Sequence, residues 1–184
     1  MPVDNLLVWR SGFNDLPLVG DDSWIPNFAN WVSGRVSGKA QLQGIGGTPP
    51  VFTFNTGVFM NYLARMEPTD DVNKAVERLA AAWAAAVKAS VFSVSPGAYF
   101  NSPSPATLWS IVGGNVGVLE IPSVSGAESQ LRSALANAQQ TDDGLQSKIP
   151  EVLRSAFLKL NYKISGTNSV TPTPGPLIVT AKMV

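Results

Sequence analysis

Cysteine and histidine are both absent from this sequence of 184 residues. Their absence removes disulfides, thiol nucleophiles and the His/Cys ligand sets that hold zinc, copper or haem. It also excludes the Ser–His–Asp and Cys–His arrangements of nucleophilic catalysis. A general base working near neutral pH must then be a perturbed carboxylate or lysine, or a cofactor. No cofactor and no metal site is expected.

Charge is the next thing in short supply. Charged residues make up 14% of the chain, against roughly 25% in a typical soluble domain. Thirteen basic and thirteen acidic residues cancel. No stretch concentrates Lys or Arg, so sequence-specific nucleic-acid binding is not expected. No run approaches the ~18 apolar residues of a membrane span. Met1-Pro2-Val3-Asp4 lacks the basic-then-apolar pattern of a secretion signal, so synthesis in the cytoplasm is the expectation.

What is present is apolar: 45% of residues are hydrophobic, enough for a sizeable core. Residues 1–50 read as an irregular, aromatic-rich N-terminal arm. Trp9, Phe13, Trp24, Phe28 and Trp31 fall among Gly12, Pro17, Gly20, Pro26 and Gly34. Leu6–Trp9 fits a short strand, Ile25–Val32 a helical turn or two, and the glycines from Gly34 to Gly47 a loop. The tryptophans anchor this segment on its own core or on a neighbouring subunit. Trp9, Phe13, Trp24 and Trp31 are therefore the candidate interface residues.

Residues 51–165 read as a helix–sheet core. Val51–Phe54 is β-branched and aromatic, as a strand should be. Gly57–Met66 is apolar and fits helix or strand equally. Val72, Val76, Leu79, Trp83 and Val87 form one apolar stripe, which predicts a helix over about 70–89. Thr69 is its expected N-cap, with Asp70 and Asp71 at the positive end of its dipole. The surrounding alanines favour helix and let another helix approach closely.

Val91–Ser95 and Val116–Ile121 follow as expected strands. Ser125-Gly126-Ala127-Glu128 matches a capping box opening a second helix to about Gln140, with Leu131, Ala134, Leu135 and Ala138 on one face. Leu145, Ile149, Val152, Leu153, Phe157 and Leu160 mark a third, which starts or kinks at Pro150. Tyr162 and Ile164 alternate with polar residues in a strand ending at Gly166. Residues 166–184 read as a Pro-rich linker and a C-terminal strand. Thr69-Asp70-Asp71 and Thr141-Asp142-Asp143 precede similar helix–strand units, with Trp83 and Phe157 at similar places in the two stripes.

The expected fold is α+β: a mixed or antiparallel sheet packed against about three helices, with extended arms at both ends. Chemistry-bearing patterns are sparse. Gly44-Ile45-Gly46-Gly47 lacks the Gly-Lys-Ser/Thr ending of a phosphate loop and runs towards Pro49-Pro50 rather than a helix. Asp21-Asp22 reads as a solvated turn, and Ser155 with Lys159 as a solvent-facing pair one helical turn apart. Such a charge-poor exterior is made of small polar groups or is covered by partners. Near-zero net charge also leaves little repulsion between copies.

These features fit a structural or assembly subunit of a multi-copy complex, partnered by copies of itself and by neighbouring structural proteins. The texture resembles small structural proteins of virus particles, tailed phages especially: a capsid-associated, connector or tail component, with the virion as final location. The competing expectation is a small cytosolic enzyme using carboxylates, or a ligand-binding module.

Overall fold

The computed structural model describes residues 5–17, 21–38, 41–42, 46–47, 51–66, 70–93, 99–103, 106–110, 118–119, 121–138, 144–168 and 175–183. Six helices run through them: α1 (Leu6–Arg10), α2 (Trp24–Val36), α3 (Thr56–Leu63), α4 (Val72–Lys88), α5 (Ile121–Ala138) and α6 (Gly144–Phe157). The strands are β1 (Gln41–Leu42), β2 (Gly46–Gly47), β3 (Val51–Thr53), β4 (Val91–Ser93), β5 (Tyr99–Pro103), β6 (Ala106–Ser110), β7 (Val118–Leu119), β8 (Asn161–Asn168) and β9 (Gly175–Lys182).

The expectation of an α+β fold, with a sheet packed against about three helices, is overturned. The described residues are mostly helical, and six helices rather than about three build the core; the strands hydrogen-bond with one another and supply few of the described core side chains. Helices pack on helices: α3 and α5 on α4, α6 on α5, α1 on α6, α2 on α3. The strands pair antiparallel among themselves, β3 with β4, β5 with β6, and β8 along all of β9. Among the described side chains, strand residues and their immediate flanks reach the core through Phe52, Phe54, Tyr162 and Met183.

The miscount has local causes. Leu6–Trp9 forms α1 and not a strand, because Asn5 caps it: the Asn5 side chain accepts from the Leu7 amide at 3.0 Å. Trp9 is then buried while Leu7 stays 76% exposed. Helix α2 continues through Gly34, residues expected to be loop. Asn55 decides the ambiguous 57–66 stretch for helix by accepting from the Val58 amide at 3.0 Å. Its own amide donates to Ser90 Oγ at 3.0 Å and its Nδ2 to the Ala89 carbonyl at 3.2 Å. One residue thus caps α3 and ties it to the end of α4.

The strongest expectation, the helix near 70–89, lies in α4. Asp71 is its N-cap, accepting from the Lys74 amide at 2.8 Å; Thr69 lies outside the described residues. Val76, Leu79, Trp83 and Val87 are buried as the stripe requires, and Val72 is exposed. The capping-box expectation is corrected. Helix α5 begins at Ile121, so Ser125 lies a turn inside it, and Glu128 pairs with Arg132 at 3.6 Å. Pro122 near the start costs nothing, since first-turn amides have no intrahelical acceptor. Helix α6 runs through Pro150 from Gly144, and β8 continues past Gly166 to Asn168.

Phe157 is the hub of the core. Its ring lies 5.5 Å from Trp83, 5.7 Å from Phe54, 5.9 Å from Trp9 and 6.5 Å from Phe52. Trp83 and Phe157, the two positions that correspond in the helix–strand echo, meet edge to face. Such pairs contribute about 0.5–1.5 kcal/mol beyond the area they bury.

Candidate functional site

The four candidate interface residues come together in one aromatic cluster. Trp9 stands edge-on to Trp31 at 5.6 Å, Phe13 lies 5.0 Å from Trp31, and Phe28 stacks on Trp24 at 5.1 Å and on Trp31 at 5.9 Å. Trp9 is fully buried, Phe13 and Trp31 are each 6% exposed, and Trp24 is half-buried. These rings pack on this chain's own core, through Phe28 on Phe59 and Trp9 on Phe157. Of the four, Trp24 keeps the most surface for a neighbour.

Polar contacts lock the cluster. Trp31 Nε1 donates to the Ser11 carbonyl at 3.2 Å. Arg35 lies over the Trp31 ring at 4.8 Å and donates to the carbonyls of Trp31 and Ser11. Partial burial pulls the Arg35 guanidinium down from its ordinary range. Gly12, at φ +68°, makes the turn between α1 and Phe13 that this packing needs.

The acidic groups separate into structural roles. Asp21 accepts from the Ser23 hydroxyl and amide, which hold its carboxyl below the usual range. Asp70 is buried beneath two cations, Arg78 at 2.7 Å and Lys74 at 3.1 Å. No group of three or more acidic side chains that could hold a metal occurs among the described residues. Lys159, in the turn just past α6, donates to Gln130 Oε1 on α5 and ties the end of α6 to that helix, while Ser155 is half-buried on α6. Asp142, Asp143, Glu120 and Gly44-Ile45 lie outside the described residues.

Two concavities lined by described residues bear on function. One, of about 300 Å³, lies between α1 and α6 and is lined by Arg10, Phe13, Asn14, Ser147, Lys148 and Pro150. Arg10 reaches Glu151 at its rim, at 3.8 Å between half-exposed side chains. The other is a trough of about 650 Å³ where α3, α4 and α5 meet. Ala81, Ala84 and Ala85 of α4 form its floor, Val58 and Tyr62 of α3 one wall, and Glu128 of α5 the other. Lys88 and Ala89 close one end. Arg65 lies over the Tyr62 ring at 4.5 Å.

The trough is the feature that sequence reasoning did not single out as a site. Its signal was the alanine-rich run of α4, whose capacity for close helix approach is used twice. Ala80, Ala82 and Ala86 are buried within the bundle, while Ala81 and Ala85 stay half-exposed in the trough. Outward helix positions ordinarily carry charged or polar side chains; these carry methyl groups.

Comparison with known proteins leaves the reading to this geometry: no family model, no curated protein and no solved structure matches the chain. No helix among the described residues is long and apolar enough to cross a membrane.

Proposed function

We propose that this chain is a structural subunit of a multi-copy assembly. The observation that carries the reading is the trough on α4: an outward-facing, alanine-floored concavity with an aromatic wall, on a protein with little charge anywhere. Left in water, this surface gains nothing for the monomer; covered, it buries apolar area at about 25 cal/mol per Å². The absence of net charge removes the repulsion that otherwise keeps copies apart.

The setting that the composition suits is a virus particle, as a capsid-associated, connector or tail component. A cysteine-free chain needs no oxidising compartment to mature, and its rigid helical core with paired β8–β9 strands suits a repeating unit. The test is the mass of the full chain in solution, by light scattering across a concentration series. A mass at a multiple of 19.5 kDa is the expected result. A monomer at every concentration contradicts the proposal.

A further inference from the structure

We infer that the concavity between α1 and α6 is a binding site for a small phosphate monoester. The inference is independent of the assembly reading and uses a different surface of the molecule.

Two stretches far apart in the sequence build this concavity. Gly12, at φ +68°, turns the chain after α1, and Arg10, Phe13 and Asn14 line one side. Ser147, Lys148 and Pro150 of α6 line the other. Each of the four polar side chains can donate a hydrogen bond, and Arg10 and Lys148 can only donate. No carboxylate is among the described lining residues. A chain with 13 cations balanced by 13 anions thus sets two cations and no anion around one hollow.

The complement of such a lining is an anion rich in acceptor oxygens. A phosphate monoester carries a charge of about −2 near pH 7 and three strong acceptor oxygens. A guanidinium can meet two of these oxygens at once, and an ammonium or hydroxyl the third. A carboxylate, with one charge and two oxygens, leaves one of the two cations unmatched. Phe13 and Pro150, both buried, supply an apolar wall for the organic part of the ester. The volume, about 300 Å³, is at the small end for ligand sites, so the organic group is small. Glu151 meets Arg10 at 3.8 Å, between half-exposed side chains. So loose a surface pair contributes little, and a dianion can displace it.

The experiment is isothermal titration calorimetry of the full-length chain with phenyl phosphate, inorganic phosphate and benzoate at one fixed ionic strength. Phenyl phosphate should bind saturably, one per chain, with Kd of about 1 mM or tighter. Inorganic phosphate should bind a few-fold more weakly for want of the ring, and benzoate about tenfold more weakly for want of charge and oxygens. R10Q and K148Q should each weaken phenyl phosphate about tenfold. E151Q removes the anion that competes for Arg10 and should tighten binding a few-fold. Thermal unfolding checks each variant; Arg10 is exposed and Lys148 and Glu151 are half-buried, so all three should melt near the native chain.

Tightening cannot come from a damaged fold, so E151Q decides the matter even where R10Q or K148Q melts early. The site is overturned if phenyl phosphate shows no saturable binding below about 10 mM, if benzoate binds as well, or if E151Q or a folded R10Q or K148Q binds as the native chain does. Inorganic phosphate binding as tightly as phenyl phosphate would overturn the ester as the ligand.

Discussion

On the inner side of α4, Trp83 and Val87 are fully buried, with Trp83 set against the Phe157 ring at 5.5 Å. On the outer side of the same helix, Ala81 and Ala85 line an open trough. The inner side is specified by volume at Val76, Leu79, Trp83 and Val87, with buried alanines between them. The outer side is specified by smallness, which contributes little to folding beyond helix propensity. The two sides of one helix therefore divide the work, one holding the chain together and the other leaving room for something to lie close.

The largest expected effect comes from removing what the inner side packs towards. Deleting residues 1–48 takes away Trp9, Phe13, Phe28 and Trp31 and exposes Phe59 and Phe157. The truncated chain should lose its cooperative thermal transition and its near-ultraviolet circular dichroism. A sharply melting truncated protein would mean that these rings are accessory to the core.

Phe157→Ala isolates the hub. It deletes a fully buried ring in contact with four others and should cost about 3–5 kcal/mol in denaturant unfolding. A loss below about 1 kcal/mol would show that the neighbouring rings collapse into the space, and that the inner side is less exacting than the packing implies.

Alkaline pH gives a milder probe of the same region. Tyr162 is buried at the root of β8 against Phe52, and burial raises its phenol well above the ordinary value near 10. The folded state thus keeps the proton that the unfolded chain releases above about pH 10. Stability is complete below that pH and falls as pH rises beyond it, by up to about 1.4 kcal/mol per unit from this group. Tyr162→Phe should flatten the decline between pH 10 and 11. An unchanged slope in the variant would assign the loss to other groups.

Much of the inner side was legible in the sequence. The Val76–Val87 stripe, the Phe157 stripe and the Asp70-Asp71 start of α4 follow from the residue pattern alone, and α4 and α6 span the stretches that it marks; Thr141-Asp142-Asp143 lies outside the described residues. The helices that escaped notice are the ones that tertiary contacts decide. Helix α1 has only five residues, too short to show a period, and it is fixed by the Asn5 cap and the seat for Trp9. Helix α3 reads equally well as strand until Asn55 bridges it to Ser90 and Ala89, far along the chain. Without α1, α3 and the second half of α2, the helices number about three and the sheet takes a larger share of the core than the few strand side chains, Phe52 and Tyr162 among them, that reach it. The candidate site was half legible. The aromatic anchors were found and are joined in one cluster, but no spacing rule says which way a cluster faces. The trough depends on three helices meeting, and a single alanine run does not announce its walls.

The division of labour along α4 is tested most directly by sedimentation velocity of Ala85→Glu, run beside its denaturant unfolding at low concentration. Ala85 is half-exposed, so a longer polar side chain there should change the stability of the isolated chain by no more than about 0.5 kcal/mol. The same side chain fills the trough at its centre. The account predicts a folded monomer of undiminished stability where the native chain forms an assembly. A variant that unfolds readily, or one that assembles as the native chain does, would contradict it.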